Sequence, residues 1–511
     1  MATTTPPPPP PQLPLPSALA SREAGLGRRA RLAALIGGVL VAELALGVAI
    51  ADARFLPLVL AAGAAAGLGV LFRLPLAGIV VLLLIVASVF PWEASAFELG
   101  PLKTPMYEVA LGGLLIVALF KPRRATWGGK TGAALALFFT VLAVSEVVAL
   151  VEDRADPIDI FNWGRPFFML GLFFVVIRLF PTRRAARDVL VAGAIVGAAT
   201  GVVALLFALG SGPAFILQGG GEGFITQGEG FGNLSRVRLP GLALAYVLFW
   251  FVVVGLLYAR GLRKLGWLVL LAGAVIGITL SFNRNMWIGL LLGAVLMLVF
   301  ATPGFRRRLM AGLAVAAAGL AMVFYAPGGL DDDSALAPLA ERSSTLLDPG
   351  SLQGEDSLRS RDEETRQALR VAATHPVLGV GPGVNFGVFF SQADGSRYVR
   401  TPQLFLHNQY LYLVLAAGIP GLLCFLAFLG SVLRTALRRA TSDPPVVALG
   451  VGLATVALSA LVAIYFNVPD MATVIGLVSG AIVAMASDQT ARGAESGASP
   501  QTSATLAAAR R

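Results

Sequence analysis

One histidine stands where a long polar segment of the chain meets an apolar segment. His407 is one of only two histidines in 511 residues, and Asn408, Gln409 and Tyr410 follow it directly. An imidazole titrates near neutral pH, so at a boundary between water and membrane it can act as a general base. Taken alone, the histidine is better explained as an interfacial polar residue beside an aromatic belt.

Arginines stand next to apolar segments at two further places. Arg236 and Arg238 precede an apolar run, and Arg284 lies in a short link between two others. A guanidinium group can bind an anion with two parallel hydrogen bonds, so these side chains could hold an anionic partner. They could also reach lipid headgroups by snorkelling. Together with His407, they outline a cationic cavity at the outer membrane surface.

Other kinds of site are not indicated by the residue pattern. The single cysteine, Cys424, lies in an apolar run, and the spacing of His, Cys and carboxylate residues does not match a metal site. We therefore predict no metal and no cofactor. The string GVGPGVNF after His375 lacks the GKS or GKT ending of a phosphate loop, so its glycines are expected to form a tight turn. The +10 net charge is not interleaved with aromatic residues, which argues against nucleic acid as a partner.

The composition decides which elements must position these residues. Hydrophobic residues make up 56% of the chain and charged residues 13%, and the mean hydropathy is +0.78. Soluble domains carry about 25% charged residues. We predict an all-α polytopic membrane protein with about fourteen transmembrane helices. The apolar runs span residues 32–50, 55–72, 75–91, 105–120, 132–150, 164–180, 188–209, 240–259, 266–282, 286–302, 309–326, 408–432, 445–466 and 469–487.

Basic clusters at alternate links give the predicted orientation. Lys and Arg near helix ends are retained in the cytoplasm, which places both termini inside and one large loop outside, before the third-last helix. The predicted segments are a disordered Pro-rich cytoplasmic tail at 1–30, transmembrane helices 1–11 at 31–326, an extracytoplasmic loop with short helices at 327–407, transmembrane helices 12–14 at 408–487, and a disordered cytoplasmic tail at 488–511.

The large loop contains one segment with the pattern of an amphipathic helix. The segment SLRSRDEETRQALRVAAT has arginines at helical spacing, which are expected to pair with Asp362, Glu363 and Glu364 on a solvated face. Arg361 and Arg366 of this segment, with Asn408, are candidate loop contacts to a substrate. The predicted buried stripe consists of Leu358, Ala368, Leu369, Val371 and Ala372.

Four motifs resemble those of the O-antigen ligase and O-antigen polymerase superfamily. They are the HN-x-YL pattern followed by GI-x-GL over 407–422, the preceding HPVLGVGPGVNF, the Arg-to-Trp turn at 284–287 and the RLPG string at 238–241. The motifs cover about residues 200–430, and the topology covers the whole chain. One feature departs from the family, which often has an acidic residue where this chain reads Ala416-Ala417.

The resemblance implies a metal-independent glycosyltransferase on the outer side of the bacterial plasma membrane. Its donor would be a glycan linked to undecaprenyl diphosphate, and its acceptor a second glycan or a lipid or other carrier. The essential histidine of the family maps to His407, and the two diphosphate-binding arginines map to Arg238 and Arg284, with Arg236 as a neighbour. Membrane lipids, a flippase and a chain-length regulator are the further partners that the resemblance implies.

Three other functions stay open at this stage. Fourteen spans favour a repeat-unit polymerase over an O-antigen ligase, but the motifs do not separate the two. A solute transporter usually shows internal repeats and polar broken helices near the bilayer midplane, and neither pattern is found here. A noncatalytic assembly protein would use the large loop as an interaction surface.

Overall fold

The computed structural model describes most of the chain, in two compact units, Met1–Arg73 and Leu74–Arg511. The described residues are 66–88, 96–99, 102–121, 127–209, 225–226, 236–237, 239–300, 302–325, 356–393, 397–402, 404, 406–439 and 442–497. In the first unit they form one helix, α1 (Ala66–Arg73). The predicted tails at 1–30 and 498–511 and the apolar run 32–50 lie outside the described residues, whereas residues 488–497 of the predicted C-terminal tail continue a helix.

Helices form most of the second unit, as the sequence predicts. In chain order they are α2 (Pro75–Val86), α3 (Met106–Phe120), α4 (Gly129–Val151), α5 (Pro157–Gly164), a 3-10 helix (Arg165–Gly171), α6 (Leu172–Leu179), α7 (Arg183–Ala208), α8 (Leu242–Val247), α9 (Phe249–Tyr258), α10 (Leu262–Leu280), α11 (Arg284–Phe300), α12 (Pro303–Tyr325), α13 (Asp356–Thr374), α14 (Gln409–Leu437), α15 (Pro444–Ser459) and α16 (Pro469–Gly497).

Three short antiparallel hairpins accompany the helices. They pair β1 (Ala96–Leu99) with β2 (Leu102–Pro105), β3 (Ile225–Thr226) with β4 (Arg236–Val237), and β5 (Val388–Ala393) with β6 (Arg397–Pro402). The third hairpin belongs to the predicted large loop, which also contains α13. The loop therefore has a defined fold over much of its length, and its strands were not predicted.

The number of spans differs from the prediction. Six helical segments among the described residues are long and apolar enough to cross a bilayer, or seven if α1 and α2 together form one span. The six are α4, the α5-to-α6 segment, α7, α10, α14 and the first 19 residues of α16. The apolar helices α3, α9, α11 and α15 coincide with predicted runs but have only 10–17 residues, fewer than the roughly 20 that a bilayer requires. The structure thus supports a multi-pass membrane protein and does not confirm fourteen spans.

Small residues and aromatic rings bring the long helices together. Helix α7 meets α10 where a Cβ at Gly201 would overlap the carbonyl oxygen of Gly273, so the two backbones touch. Such close approach is typical of membrane helices, because lipid supplies no hydrophobic force between them. Helix α14 packs along α4, with the rings of Phe138 and Phe425 5.5 Å apart between centroids. The α16 helix packs against α6, α7, α14 and α15 and is the most buried candidate span.

Antiparallel packing of α14 and α15 defines two ends of the helical bundle. The N–H of Gln409, at the start of α14, donates to the carbonyl of Ala460, just after α15, at 2.9 Å. We call this the His407 end. The last turn of α14 and the first of α15 meet at the opposite end, around Asp443, which we call the Asp443 end.

Candidate functional site

His407 is paired with a carboxylate from the large loop. Its Nδ1 atom lies 2.9 Å from Oε2 and 3.2 Å from Oε1 of Glu364, a residue of α13. The His407 N–H also donates to Oε2, at 3.4 Å. The Glu364 side chain is 2% exposed, whereas that of His407 is 29% exposed. The pair is therefore shielded on the carboxylate side and open to solvent on the imidazole side.

This geometry decides which ring nitrogen can act as a base. An ionised carboxylate only accepts hydrogen bonds. Opposite such a carboxylate, Nδ1 of His407 carries the ring hydrogen and donates a hydrogen bond to Glu364. In the neutral imidazole, Nε2 then has the lone pair and can accept a proton from a reacting hydroxyl. A buried carboxylate with this role orients a histidine base and stabilises the imidazolium that forms during the reaction.

The prediction that Glu364 lies on a solvated face is wrong. Glu364, Ala368 and Ala372 follow one another at a spacing of four residues, and all three are buried. Residues at this spacing share one face of a helix. Leu369, predicted to be buried, is 54% exposed. The buried face of α13 is therefore rotated from the predicted stripe, and the two buried alanines mark the face that also holds Glu364.

Hydrogen bonds from side chains to the backbone fix the segment that carries His407. The Asn408 side chain caps α14 by accepting from the N–H of Leu411 at 3.1 Å. The Gln409 amide is fully buried, donates to the Leu406 carbonyl at 2.9 Å and accepts from the N–H of Phe466 at 3.1 Å. These side chains satisfy backbone groups on both sides of His407, at Leu406 and at Leu411, so the segment that carries the imidazole is held in place.

Helix α14 is interrupted at Gly418, about two and a half turns after it begins at Gln409. Gly418 has φ +66°, and Pro420 has no N–H with which to bond the Ala416 carbonyl. That carbonyl instead accepts from Oγ of Ser145 in α4, at 2.7 Å. A Cβ at Gly418 would overlap a carbonyl of the turn that follows α13. The glycine and proline of the GI-x-GL motif thus open the helix where another segment enters.

The segment that enters is the glycine-rich turn after His375. The N–H groups of Val380 and Gly381 donate to the Leu415 carbonyl at 2.7 and 3.2 Å, and the Ile419 N–H donates to the Pro376 carbonyl at 2.8 Å. These bonds replace those that the broken helix lacks. Because α13 leads directly into the turn, its attachment to α14 brings Glu364 and His407 together.

Three glycines allow this close approach, which confirms the predicted tight turn. Gly379, Gly381 and Gly383 have φ values of +71°, +104° and +73°, in the region that other residues rarely adopt. A Cβ at Gly379 would overlap the Leu415 carbonyl, and one at Gly381 would lie 2.5 Å from Cβ of Ala149 in α4. The turn therefore lies directly against two transmembrane helices.

Arg284 begins α11 after a tight link. The Ser281 hydroxyl accepts from the Asn283 N–H at 3.2 Å, and the indole N–H of Trp287 donates to the Ile278 carbonyl at 3.1 Å. The link is thus hydrogen-bonded on both sides of the arginine. One turn later, α11 packs at Gly289 against Ser459, the residue before the Ala460 that bonds to Gln409. Arg284 therefore lies at the His407 end.

The other predicted diphosphate ligands are only partly described. Arg238 lies outside the described residues, and Arg236 is placed by its backbone in β4, opposite Thr226. The neighbouring Val237 and Leu239 are buried against Phe207 near the end of α7. Since α7 starts at the Asp443 end, its last turn lies at the His407 end. Val237 and Leu239, on either side of Arg238 in the sequence, are therefore on the same side of the bundle as His407.

The candidate loop contacts have structural partners in this state. Arg361 donates to the Val462 carbonyl at 3.4 Å, which holds α13 over the turn after α15. Arg366 pairs with Asp362 at 2.6 Å, and both side chains are more than half exposed. Burial raises the pKa of the Tyr465 phenol in the same turn, so it remains a hydrogen-bond donor. Contact of Arg361, Arg366 or Asn408 with a substrate stays a prediction.

Comparison with known families supports the resemblance seen in the motifs. Residues 268–426 match the family model described as O-antigen ligase. The match includes Arg284, Glu364, His407 and the broken part of α14, whereas Arg236 and Arg238 precede it. No curated protein gave a significant match to the chain. Within the described residues no cluster of three or more His, Cys, Asp or Glu side chains has the arrangement of a metal site.

Proposed function

We propose that this chain, whose residues 268–426 carry the O-antigen ligase domain, is a membrane glycosyltransferase of surface polysaccharide synthesis. It would transfer a glycan from undecaprenyl diphosphate to a sugar hydroxyl at the outer face of the plasma membrane. The observation that carries the proposal is the His407–Glu364 pair, in which a buried carboxylate orients an exposed imidazole. A noncatalytic assembly protein has no need of an oriented base. A proton-coupled transporter can use such a pair as a proton relay, but the match to the O-antigen ligase model favours glycosyl transfer.

The proposed reaction uses the two ring nitrogens differently. As the acceptor hydroxyl oxygen bonds to the anomeric carbon, Nε2 of His407 takes its proton, while Nδ1 stays hydrogen-bonded to Glu364. The bond from the anomeric carbon to the diphosphate oxygen breaks, and its electron pair leaves with the diphosphate. Attack opposite the leaving group inverts the anomeric configuration.

The arginines have the complementary role in this proposal. Negative charge grows on the diphosphate as it leaves, and guanidinium groups stabilise it through bidentate hydrogen bonds. Arg284 lies at the His407 end, and the strand that precedes Arg238 lies on the same side of the bundle. Arg236 is the neighbour that could share this role. No metal is needed for such stabilisation, because the charge is balanced by the side chains.

A polymerase and a ligase differ in the acceptor to which they transfer the glycan. Fourteen spans favoured the polymerase, and that count is not confirmed. The proposal therefore rests on glycosyl transfer itself, with a second lipid-linked unit or another carrier as acceptor. A polymerase would extend lipid-linked units into a ladder of lengths, whereas a ligase would add one glycan to a carrier and leave the lipid-linked units unextended.

Reconstitution tests the proposed function directly. The purified chain in liposomes would receive a lipid-linked oligosaccharide and an acceptor, and mass spectrometry would detect new glycosidic bonds. We expect wild-type turnover, a rate lower by about 10²- to 10⁴-fold for His407→Ala, and an unchanged rate for His375→Ala. His375 is a matched control, because its Nδ1 contacts only the neighbouring Thr374 hydroxyl among the described residues, at 2.9 Å. Wild-type turnover by folded His407→Ala would refute the assignment of the base.

A further inference from the structure

A cavity lies far from His407, at the Asp443 end. It has a volume of about 760 Å³ and opens between α7, α9, α10 and α15. Helix α15 has 16 residues, so its two ends are about 24 Å apart, which separates this cavity from the proposed active site. Four arginines line the cavity: Arg183, Arg187, Arg260 and Arg263.

Most of the positive charge in this cavity has no counterion among the described residues. Arg183 forms a bidentate pair with the buried Asp443, with 2.7 Å between Nη2 and Oδ1. Arg187, Arg260 and Arg263 form no ion pair with any residue that the structure describes. Three guanidinium groups gathered at one opening repel one another, and an anionic ligand would remove that repulsion.

The cavity changes from basic to apolar along the helices. Tyr258 ends α9, whereas Val254 and Phe251 lie about 6 and 10 Å deeper along the same helix. Trp267 of α10 and Met485 of α16 complete the apolar wall. A ligand that fills the cavity must therefore present an anion at the helix ends and an apolar group toward the middle of the bilayer.

We propose that this cavity binds an anionic membrane phospholipid, with its phosphate among the three arginines that lack a carboxylate partner. The acyl chains would lie along Phe251 and Val254. Inorganic phosphate satisfies only the basic part, whereas a zwitterionic lipid brings its own positive charge to the arginines. Aromatic residues such as Tyr258 and Trp267 are favoured at headgroup level, where one edge of the ring is polar and the other apolar. The site does not depend on the proposed glycosyl transfer.

Native mass spectrometry of the full chain in detergent tests this assignment. We expect phosphatidylglycerol to be retained more tightly than phosphatidylcholine, and inorganic phosphate at equal concentration not to displace it. Each arginine near a membrane surface changes lipid affinity by about fivefold, so the double variant Arg187→Gln/Arg263→Gln should weaken phosphatidylglycerol binding by about 25-fold. The control is Arg307→Gln/Arg438→Gln, which removes two exposed arginines outside the cavity.

Each possible result either supports or overturns the assignment of an anionic phospholipid. Equal weakening by the control pair would assign the effect to general surface charge, and equal retention of the two lipids would remove the role of the arginines. Displacement by inorganic phosphate would show a simple anion site, which also overturns the lipid assignment. The comparison of lipids on the wild-type chain needs no variant, so it decides the matter even if the double variant fails to fold.

Discussion

Two buried carboxylates lie at opposite ends of the bundle and differ in what they bind. Asp443 is fully buried and pairs with Arg183, whose side chain is 32% exposed. Glu364 is 2% exposed and pairs with His407, whose side chain is 29% exposed. The burial of the two pairs is nearly the same, but the partner is permanently charged at one end and titratable at the other.

The difference separates a structural link from a site that can do chemistry. An arginine keeps its proton throughout the physiological range, so the Arg183–Asp443 pair can only join α7 to the start of α15. An imidazole whose Nδ1 is engaged by a carboxylate can still accept a proton at Nε2. The same kind of carboxylate thus links two helices at one end, and in the proposed reaction it prepares a base at the other.

Glu364→Gln should have the largest effect, on rate rather than on stability. The glutamine amide can donate to Nδ1 and favour the opposite tautomer, which would protonate Nε2 and lower the transfer rate by about 10²- to 10⁴-fold. Glu363→Gln, at an exposed neighbouring position, should keep the wild-type rate. Because the chain has two histidines, 15N-histidine NMR can read the tautomer of His407 against His375. An unchanged tautomer and rate would show that Glu364 does not orient the base.

Gly418→Ala tests the break in α14 by comparison with a glycine in the regular part of the same helix. A Cβ at φ +66° would strain the backbone and collide with the turn, so we expect a loss of about 2–4 kcal/mol in the free energy of unfolding, together with lower activity. Gly430→Ala, nearer the Asp443 end of α14, places its Cβ in open space and should be neutral or stabilising by up to about 1 kcal/mol. Thermal unfolding in detergent compares the two variants. Equal Tm values would contradict a tightly inserted turn.

Asp443→Asn should affect stability and leave catalysis nearly unchanged. The variant removes the charge partner of Arg183, and because that arginine is one-third exposed we expect a loss of only about 1–3 kcal/mol. The rate per folded molecule should stay within about twofold of wild type, since the pair lies about 24 Å from the His407 end. Asp362→Asn, which breaks an exposed pair, should cost less than about 1 kcal/mol. A large fall in rate without a fall in Tm would make Asp443 more than a structural link.

Arg284→Lys should lower the transfer rate less than Glu364→Gln does. Lysine keeps the charge but lacks the planar fork, so bidentate diphosphate binding would weaken, and we expect about a tenfold lower transfer rate. Arg370→Lys, on the exposed face of α13, is the control and should keep the wild-type rate. A fully active Arg284→Lys variant would leave lipid snorkelling as the simpler account of this arginine.

Much of the helical pattern could be predicted from hydropathy alone. The described helices from α2 onward coincide with predicted apolar runs, except α5, which precedes the run 164–180, and α13, which lies in the predicted loop. The span count was less predictable, because α8 and α9 are separated at Leu248 and the apolar helices α3, α11 and α15 have only 15, 17 and 16 residues. Local hydropathy reports that a segment is apolar, but it does not report whether the segment crosses the bilayer without interruption.

The sequence by itself determined that the chain is a membrane protein, that His407 stands at a helix boundary, and that three glycines form a tight turn. Only the tertiary structure decided which acidic residue meets that histidine. Asp362, Glu363 and Glu364 are adjacent in sequence and chemically alike, so local pattern does not choose among them. The choice follows from the rotation of α13 about its axis. That rotation is fixed because the turn after α13 is hydrogen-bonded into the break in α14, and it places Glu364 on the side of α13 that faces His407.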